Sequence, residues 1–319
     1  MKWRRAQATA PQSRARYSRS MSSPLTPATV LMLSTASLLW ACNSLVGRWI
    51  HEQVPPLTLN FFRWVLALLI LLPLSWRFLR RDGPIWPHWR RLSLLGLVSI
   101  GAYNALQYMA LQTSTAVNVT LVAGSMPVWT LLLGRMLHAQ IITKRQWLGA
   151  LLSIAGVLLV LCRGQWAVLQ QLRFVPGDAY ILLATLCWSV YSWLLARPSE
   201  PQSLRGDWAG YLMAQILFGL IWSGLFAGAE WTLGSPQIVW SMPVVAAIVF
   251  IAVGPAVLAY RFWGIGVQRA GPQIASFFSN LAPVFAALLS TVLLGEAPQF
   301  YHLLAFIMIV GGIVVSSRR

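Results

Sequence analysis

Residues 268–294 read QRAGPQIASFFSNLAPVFAALLSTVLL, and residues 112–138 read QTSTAVNVTLVAGSMPVWTLLLGRMLH. Each is an apolar run broken by a proline near its middle, and each is long enough to cross the roughly 30 Å of bilayer hydrocarbon as a helix. A shift of 156 positions (268 − 112) superposes Gln268 on Gln112, Pro283 on Pro127, Val284 on Val128 and Leu293 on Leu137, and further along Gly312 on Gly156. Single matches are cheap in apolar sequence. The weight lies in their positions, because each proline falls in the fourth apolar run of its half and Trp40 and Trp188 occupy like places in the two opening runs.

Working outward, runs of spanning length centre on 28–47, 57–76, 92–111, 115–137 and 146–162, then on 178–197, 208–228, 242–268, 273–294 and 300–316. The chain thus reads as an all-α integral membrane protein of ten transmembrane helices. Five spans per half is an odd number, so the second copy enters the membrane from the opposite side. Two inverted five-helix repeats, 27–163 and 178–317, are the expected architecture, with a substrate site near midplane at their interface. Residues 1–26 form an Arg- and Ser-rich tail without acids or an apolar core, predicted to be disordered and not a secretory signal. Met21 leads directly into the first span.

Composition supports a membrane reading and excludes others. Hydrophobic residues make up 57% of the chain and charged ones 10%, which is too few for a soluble surface. The net charge of +17 would suit nucleic acid, but the basic residues sit between apolar runs instead of on one patch. With a cytoplasmic N-terminus, nineteen of the 24 Lys and Arg fall inside, and Arg48, Arg163 and Arg173 fall outside; Arg63 and Arg261 lie within spans. That positive-inside asymmetry accounts for the charge without a polyanionic partner and places a multi-pass chain in the inner (plasma) membrane with both termini cytoplasmic. Cys42, Cys162 and Cys187 lie in apolar segments without metal-ligand spacing, so no metal, cofactor or disulfide framework is expected.

Polar residues inside spans are costly in hydrocarbon and mark either a cavity or hydrogen bonds between helices. Trp40, Asn43, Ser44 and Gly47 share one helical face, and Trp188, Tyr191 and Ser192 form its counterpart. Asn104, Gln107 and Tyr108 share another, which the 156 shift carries onto Tyr260, Trp263 and Gly264. Pro127 and Pro283 each remove a backbone donor, predicting kinks with the carbonyls of Ala123 and Ser279 unbonded, close to Asn118, Ser125, Ser276, Ser279 and Asn280. Arg63 either reaches back to the membrane surface or faces a substrate carboxylate. Candidate substrate contacts are therefore Trp40, Asn43, Arg63, Asn104, Gln107, Asn118, Trp188, Tyr191, Tyr260, Trp263 and Asn280.

The stretch from Ala259-Tyr260 through Arg269-Ala270-Gly271, Asn280-Leu281-Ala282-Pro283-Val284-Phe285, Leu294-Gly295-Glu296 and Gly311-Gly312, with Phe62-Arg63-Trp64 and Met126-Pro127-Val128 earlier, resembles the EamA family of the drug/metabolite transporter superfamily. The resemblance implies ten helices and the export or exchange of amino acids, metabolites or drugs. Gln140 stands where that family commonly has a Glu, and Arg261 where it commonly has an apolar residue. Glu296, with His302, is a candidate coupling residue near a membrane boundary, and a helix-terminus role is its plain alternative.

The expected function is that of a secondary transporter of neutral or zwitterionic metabolites, amino acids foremost. A membrane enzyme acting on lipid-linked groups would need paired acid and base residues, whereas Asp82, Asp178, Asp207, Glu52, Glu200 and Glu230 read as scattered loop residues. A channel or structural subunit is the third class, disfavoured by the paired kinks. The implied partners are a small-molecule substrate and membrane lipid, with a homodimer left open and nucleic acid excluded. Reporter fusions at the C-terminus are expected to give a cytoplasmic signal with or without residues 1–20; a periplasmic signal would overturn this topology.

Overall fold

The computed structural model describes residues 25–114, 116–165, 167, 173–234, 236–294 and 299–318. The basic tail and Glu296 lie outside the described residues. Everything described is helix, turn or coil, with no strand among the described residues. The helical segments are α1 (Pro27–Trp49), α2 (Pro56–Ser75), α3 (89–113), α4 (116–138), α5 (Lys144–Leu161), α6 (Pro176–Ala196), α7 (Trp208–Leu233), α8 (Met242–Ala270), α9 (272–294) and α10 (Phe300–Ser317). Among the described residues nine of these are long and apolar enough to cross a membrane. Segment α3, helical throughout, is not among those nine. The protein is a multi-pass membrane protein.

Start signals follow local chemistry. The Thr29 amide donates to Thr26 Oγ1 ahead of α1, Asp207 caps α7, Ser241 caps α8, and Thr143 with Gln146 forms a reciprocal capping box on α5. Between α8 and α9 the chain reverses at Gly271, whose φ of 83° is one that a side chain would resist.

The helices pack antiparallel so that both described termini lie at one end. There Gln146 on α5 meets Gln273 on α9, Gly149 on α5 meets the last turns of α10, and Leu33 on α1 packs on Gly266 of α8. The same end gathers Arg91, Arg135, Lys144, Arg145, Arg197, Arg205, Arg269 and Arg318, and is called the basic end below. Acidic Asp178 and Glu230 sit at the other end, in the first turn of α6 and the last turns of α7, and not in loops as the sequence suggested.

Helices α5 and α10 touch backbone to backbone. A Cβ on Gly149 would lie 2.7 Å from the Gly312 carbonyl, a Cβ on Gly312 2.7 Å from the Gly149 carbonyl, and a Cβ on Gly156 2.9 Å from the Ala305 carbonyl. Shifted by 156, Gly149 becomes Ala305 and Gly156 becomes Gly312, so the two contacts are one contact read from either side. Gly312→Val is expected to lose about 2 kcal/mol through overpacking, read as a lowered Tm of purified protein. Gly264→Ala, with nothing within 4 Å of the added carbon, should leave the Tm unchanged.

Candidate functional site

A cavity of about 200 Å³ opens in the half of the bundle away from the basic end. Its walls come from α1 (Trp40, Asn43, Ser44), α2 (Arg63), α3 (Tyr103, Asn104, Gln107), α4 (Thr120, Gly124, Met126), α6 (Trp188), α8 (Pro255, Tyr260) and α9 (Ser279, Asn280, Pro283). Eight of the eleven residues singled out from sequence as substrate contacts line it: Trp40, Asn43, Arg63, Asn104, Gln107, Trp188, Tyr260 and Asn280. Tyr191 and Trp263 do not reach it. They form the layer beneath, with Tyr191 5.1 Å from the Trp188 ring and Trp263 5.2 Å from the Trp40 ring, and both are almost fully buried.

Asn118 points elsewhere. Its Nδ2 donates to the Arg173 carbonyl and to Asp178 Oδ2, tying the start of α4 to the start of α6. Ser114 Oγ and the Val175 amide donate to the same carboxylate, so this asparagine belongs to a helix-end staple. Sequence spacing put it near the kink but could not show that Asp178, sixty residues on, would claim it.

The floor is an aromatic cluster. Trp40 stands edge-on to Trp188 at 5.2 Å, Tyr260 edge-on to Trp188 at 5.4 Å, and Tyr103 tilts against Trp188 at 4.8 Å. Such contacts hold rings in fixed register. Four polar tips in it and the layer beneath bond to protein: Trp40 Nε1 to the Pro255 carbonyl (3.3 Å), Tyr260 OH to the Ser99 carbonyl (3.4 Å), Tyr191 OH to Gln215 Oε1 (3.0 Å) and Trp263 Nε1 to Ser192 Oγ (3.3 Å).

Two of those acceptors expose what sequence reading missed. Residues 97–101 of α3 and 252–258 of α8 are π-helical, and the 156 shift carries Ser99 onto Pro255. A π segment loosens the regular ladder and leaves carbonyls for side-chain donors. Ser99 O accepts from Asn104 Nδ2 and Tyr260 OH, Ile100 O from Asn60 Nδ2, and Pro255 O from Trp40 Nε1. The one visible signal was Pro255 inside an apolar run.

Helices α4 and α9 are interrupted at Ser125 and at Ser279–Asn280, one residue or more before each proline, so Pro127 and Pro283 sit in the first turn of a restarted helix. Pro127 is buried in α4 and Pro283 faces the cavity. The Ser279 carbonyl is not free, as the sequence suggested, because the tightened turn lets it accept from the Ala282 amide. Asn280 Nδ2 donates to the Gly124 carbonyl (3.1 Å) and to Ser153 Oγ (2.8 Å), closing one interruption onto the other at positions 156 apart.

Arg63 is the one charged side chain lining the cavity among the described residues. It is 3% exposed, it points inward and does not reach back to the membrane surface, and its carbon Cζ lies 5.0 Å from the Trp64 ring. No carboxylate among the described residues pairs with it, and its Nε has no hydrogen-bond partner. Asn43 Oδ1 is likewise buried without a partner. Arg261 stays outside the cavity, stacked 4.0 Å over Trp208 near the basic end. His302 accepts the Gln299 amide at the start of α10, and no cluster of three metal-ligating residues occurs among the described residues.

Helices enclosing a polar and aromatic cavity inside an apolar bundle fit a membrane transporter, and comparison with known proteins assigns that class. The sequence profile of the EamA-like transporter family matches residues 27–162 and again 175–318, so the chain belongs to that family, within the drug/metabolite transporters. It is 29% identical over 225 residues to the uncharacterised transporter YyaM of Bacillus subtilis, covering 70% of this chain and 72% of that one. It is 26% identical over 293 residues to the aromatic amino acid exporter YddG of Ancylobacter novellus, covering 89% and 94%. A solved crystal structure superposes with a TM-score of 0.69 at 25% identity, over 90% of this chain and 95% of the other.

Asp178→Ala removes bonds from Ser114, Asn118 and the Val175 amide and is expected to lower stability by roughly 2–3 kcal/mol. Asn118→Ala should cost less than half of that. Urea or thermal melts of purified protein decide it, and an undiminished Tm in Asp178→Ala would remove the staple.

Proposed function

We propose that the chain is a secondary transporter that exports or exchanges small neutral or zwitterionic metabolites, amino acids foremost, by alternating access in the inner membrane. The observation that carries this reading is the lone, unpaired Arg63 guanidinium in a cavity of aromatic faces with no carboxylate among the described lining residues. A carboxylate set against Arg63 would gain a charge-assisted bond in a low-dielectric site. Asn43 Oδ1 is an acceptor in the same wall, suited to an ammonium or amide. The flat remainder of a substrate meets Trp40, Trp188 and Tyr260. The aromatic amino acid exporter among the relatives is consistent with such a substrate.

Alternating access rests on the repeat. We read the two matched segments as inverted five-helix repeats, with α3 as a tenth spanning helix and the termini cytoplasmic. Four features support this: the reciprocal α5 to α10 contact, the paired π segments, the paired interruptions joined through Asn280, and a basic end that fits the positive-inside rule.

Counterflow of amino acids into liposomes holding the purified protein is expected to be saturable. Arg63→Gln should reduce it roughly 10- to 100-fold, the equivalent of one lost charge-assisted bond. Uptake of quaternary cations with no amino-acid counterflow would overturn the substrate class. Undiminished flux in a well-folded Arg63→Gln would take that residue out of the site.

A further inference from the structure

The cavity lies in the half of the bundle away from the basic end. Beneath Trp188 and Trp263 the bundle toward the basic end is filled, with Thr130 Oγ1 bonded to Ser189 Oγ (3.0 Å) and Trp193 Nε1 to the Thr130 carbonyl (2.9 Å). At the rim of that end, the connection between α6 and α7 folds over the start of α3. Its Glu200 side chain is fully enclosed, with Oε1 3.4 Å from Arg91 Nε. Arg91 Nη2 also donates to the carbonyls of Leu194 and Arg197, both at 2.9 Å. Tyr211 OH donates to Glu200 Oε1 (3.3 Å), and Arg205 Nε to the Glu200 carbonyl (2.9 Å).

Three carboxylates join the first matched segment to the second, and they differ in one respect. Both oxygens of Asp178 and both of Glu230 are hydrogen-bonded, the latter by the amides of Leu57 and Thr58 and by Thr58 Oγ1. These two lie at the end opposite the basic one, on the cavity's side of the bundle. Glu200 lies at the closed end, and its Oε2 is buried with no partner. A buried carboxylate that is only half satisfied recovers its missing bonds when water enters, so its ion pair contributes little net stability and separates at small cost.

We propose that the Arg91–Glu200 pair is the latch of the gate at the basic end, closed while the cavity faces the opposite side and broken when the cavity opens toward the basic end. This rests on the transport reading. The link to the cavity is short: Arg91 begins the helix whose π segment starts at Leu97, and Ser99 in that segment accepts the Tyr260 hydroxyl beside the cavity floor. A shift of Tyr260 on substrate binding therefore acts on the helix that carries Arg91.

Ser192 is 1% exposed and lies beneath Trp263, which makes it a reporter for the gate. With Cys42, Cys162 and Cys187 replaced by serine and Ser192→Cys introduced, the reaction rate with a polar maleimide is followed in purified protein. Glu200→Gln is expected to speed labelling on the order of tenfold, the size of a modest coupling between two states. Tyr211→Phe, a milder change, should speed it by a smaller factor. Asp178→Asn, at the other end, should leave the rate unchanged. Equal rates in folded Glu200→Gln or Tyr211→Phe and the parent would overturn the latch, as would equal acceleration by Asp178→Asn, which would mean general loosening. Labelling needs no substrate, so acceleration without any counterflow would refute the transport reading alone, and counterflow with unchanged labelling would refute the latch alone.

Discussion

Hydrocarbon offers no hydrogen bonds, so every backbone carbonyl freed from a helix must find a donor inside the protein. Among the described residues the regular ladder fails in four places: the π segment of α8 and the interruptions of α4 and α9, which border the cavity, and the π segment of α3, which ends two residues before the cavity-lining Tyr103. The freed carbonyls of Ser99, Ile100, Pro255 and Gly124 are met by Asn104 and Tyr260, by Asn60, by Trp40 and by Asn280. Several of these donors are also cavity walls. The cavity and the irregular backbone are thus one feature: removing a wall residue would also orphan a carbonyl, at a cost of about 1–3 kcal/mol when the group stays buried.

Scarcity of acid shapes the rest. Seven acidic residues serve 319, and three of the six described, Asp178, Asp207 and Glu230, stand at helix ends where backbone amides and hydroxyls compensate them. A carboxylate deep in the bundle would need comparable donors, and among the described lining residues the one strong cation is Arg63. Its charge is softened by the Trp64 face and shared with no anion among the described residues. An arginine left in that state is costly to bury, which is the physical reason to read it as awaiting a partner from outside the chain.

Much of this was legible in the sequence, because hydropathy is local and a polar side chain on an apolar helix has few places to go. The bounds of the apolar helices, the inward set of Trp40, Asn43, Asn104, Gln107 and Tyr260, and the breaks near the two prolines all follow from spacing. Properties that depend on tertiary approach did not. Asn118 turned to Asp178 because two helix ends happen to meet, and Glu200, read as one of several scattered loop acids, is enclosed because its loop folds onto Arg91. The π segments have no residue code of their own, so only Pro255 and the 156 offset hinted at them.

The aromatic floor adds a constraint on what the cavity can hold. Of the rings that line the cavity, Trp40 and Tyr260 direct their polar tips to protein acceptors and present mainly faces and edges to the space above. Faces attract cations, but any cation resting on Trp188 or Tyr260 shares a small, poorly screened volume with the Arg63 guanidinium. A zwitterion escapes that conflict by setting its carboxylate between its own ammonium and the arginine. On the proposed function, the same arrangement would favour a flat apolar side chain, which fills the floor without needing the donors that Trp40 and Tyr260 have turned away.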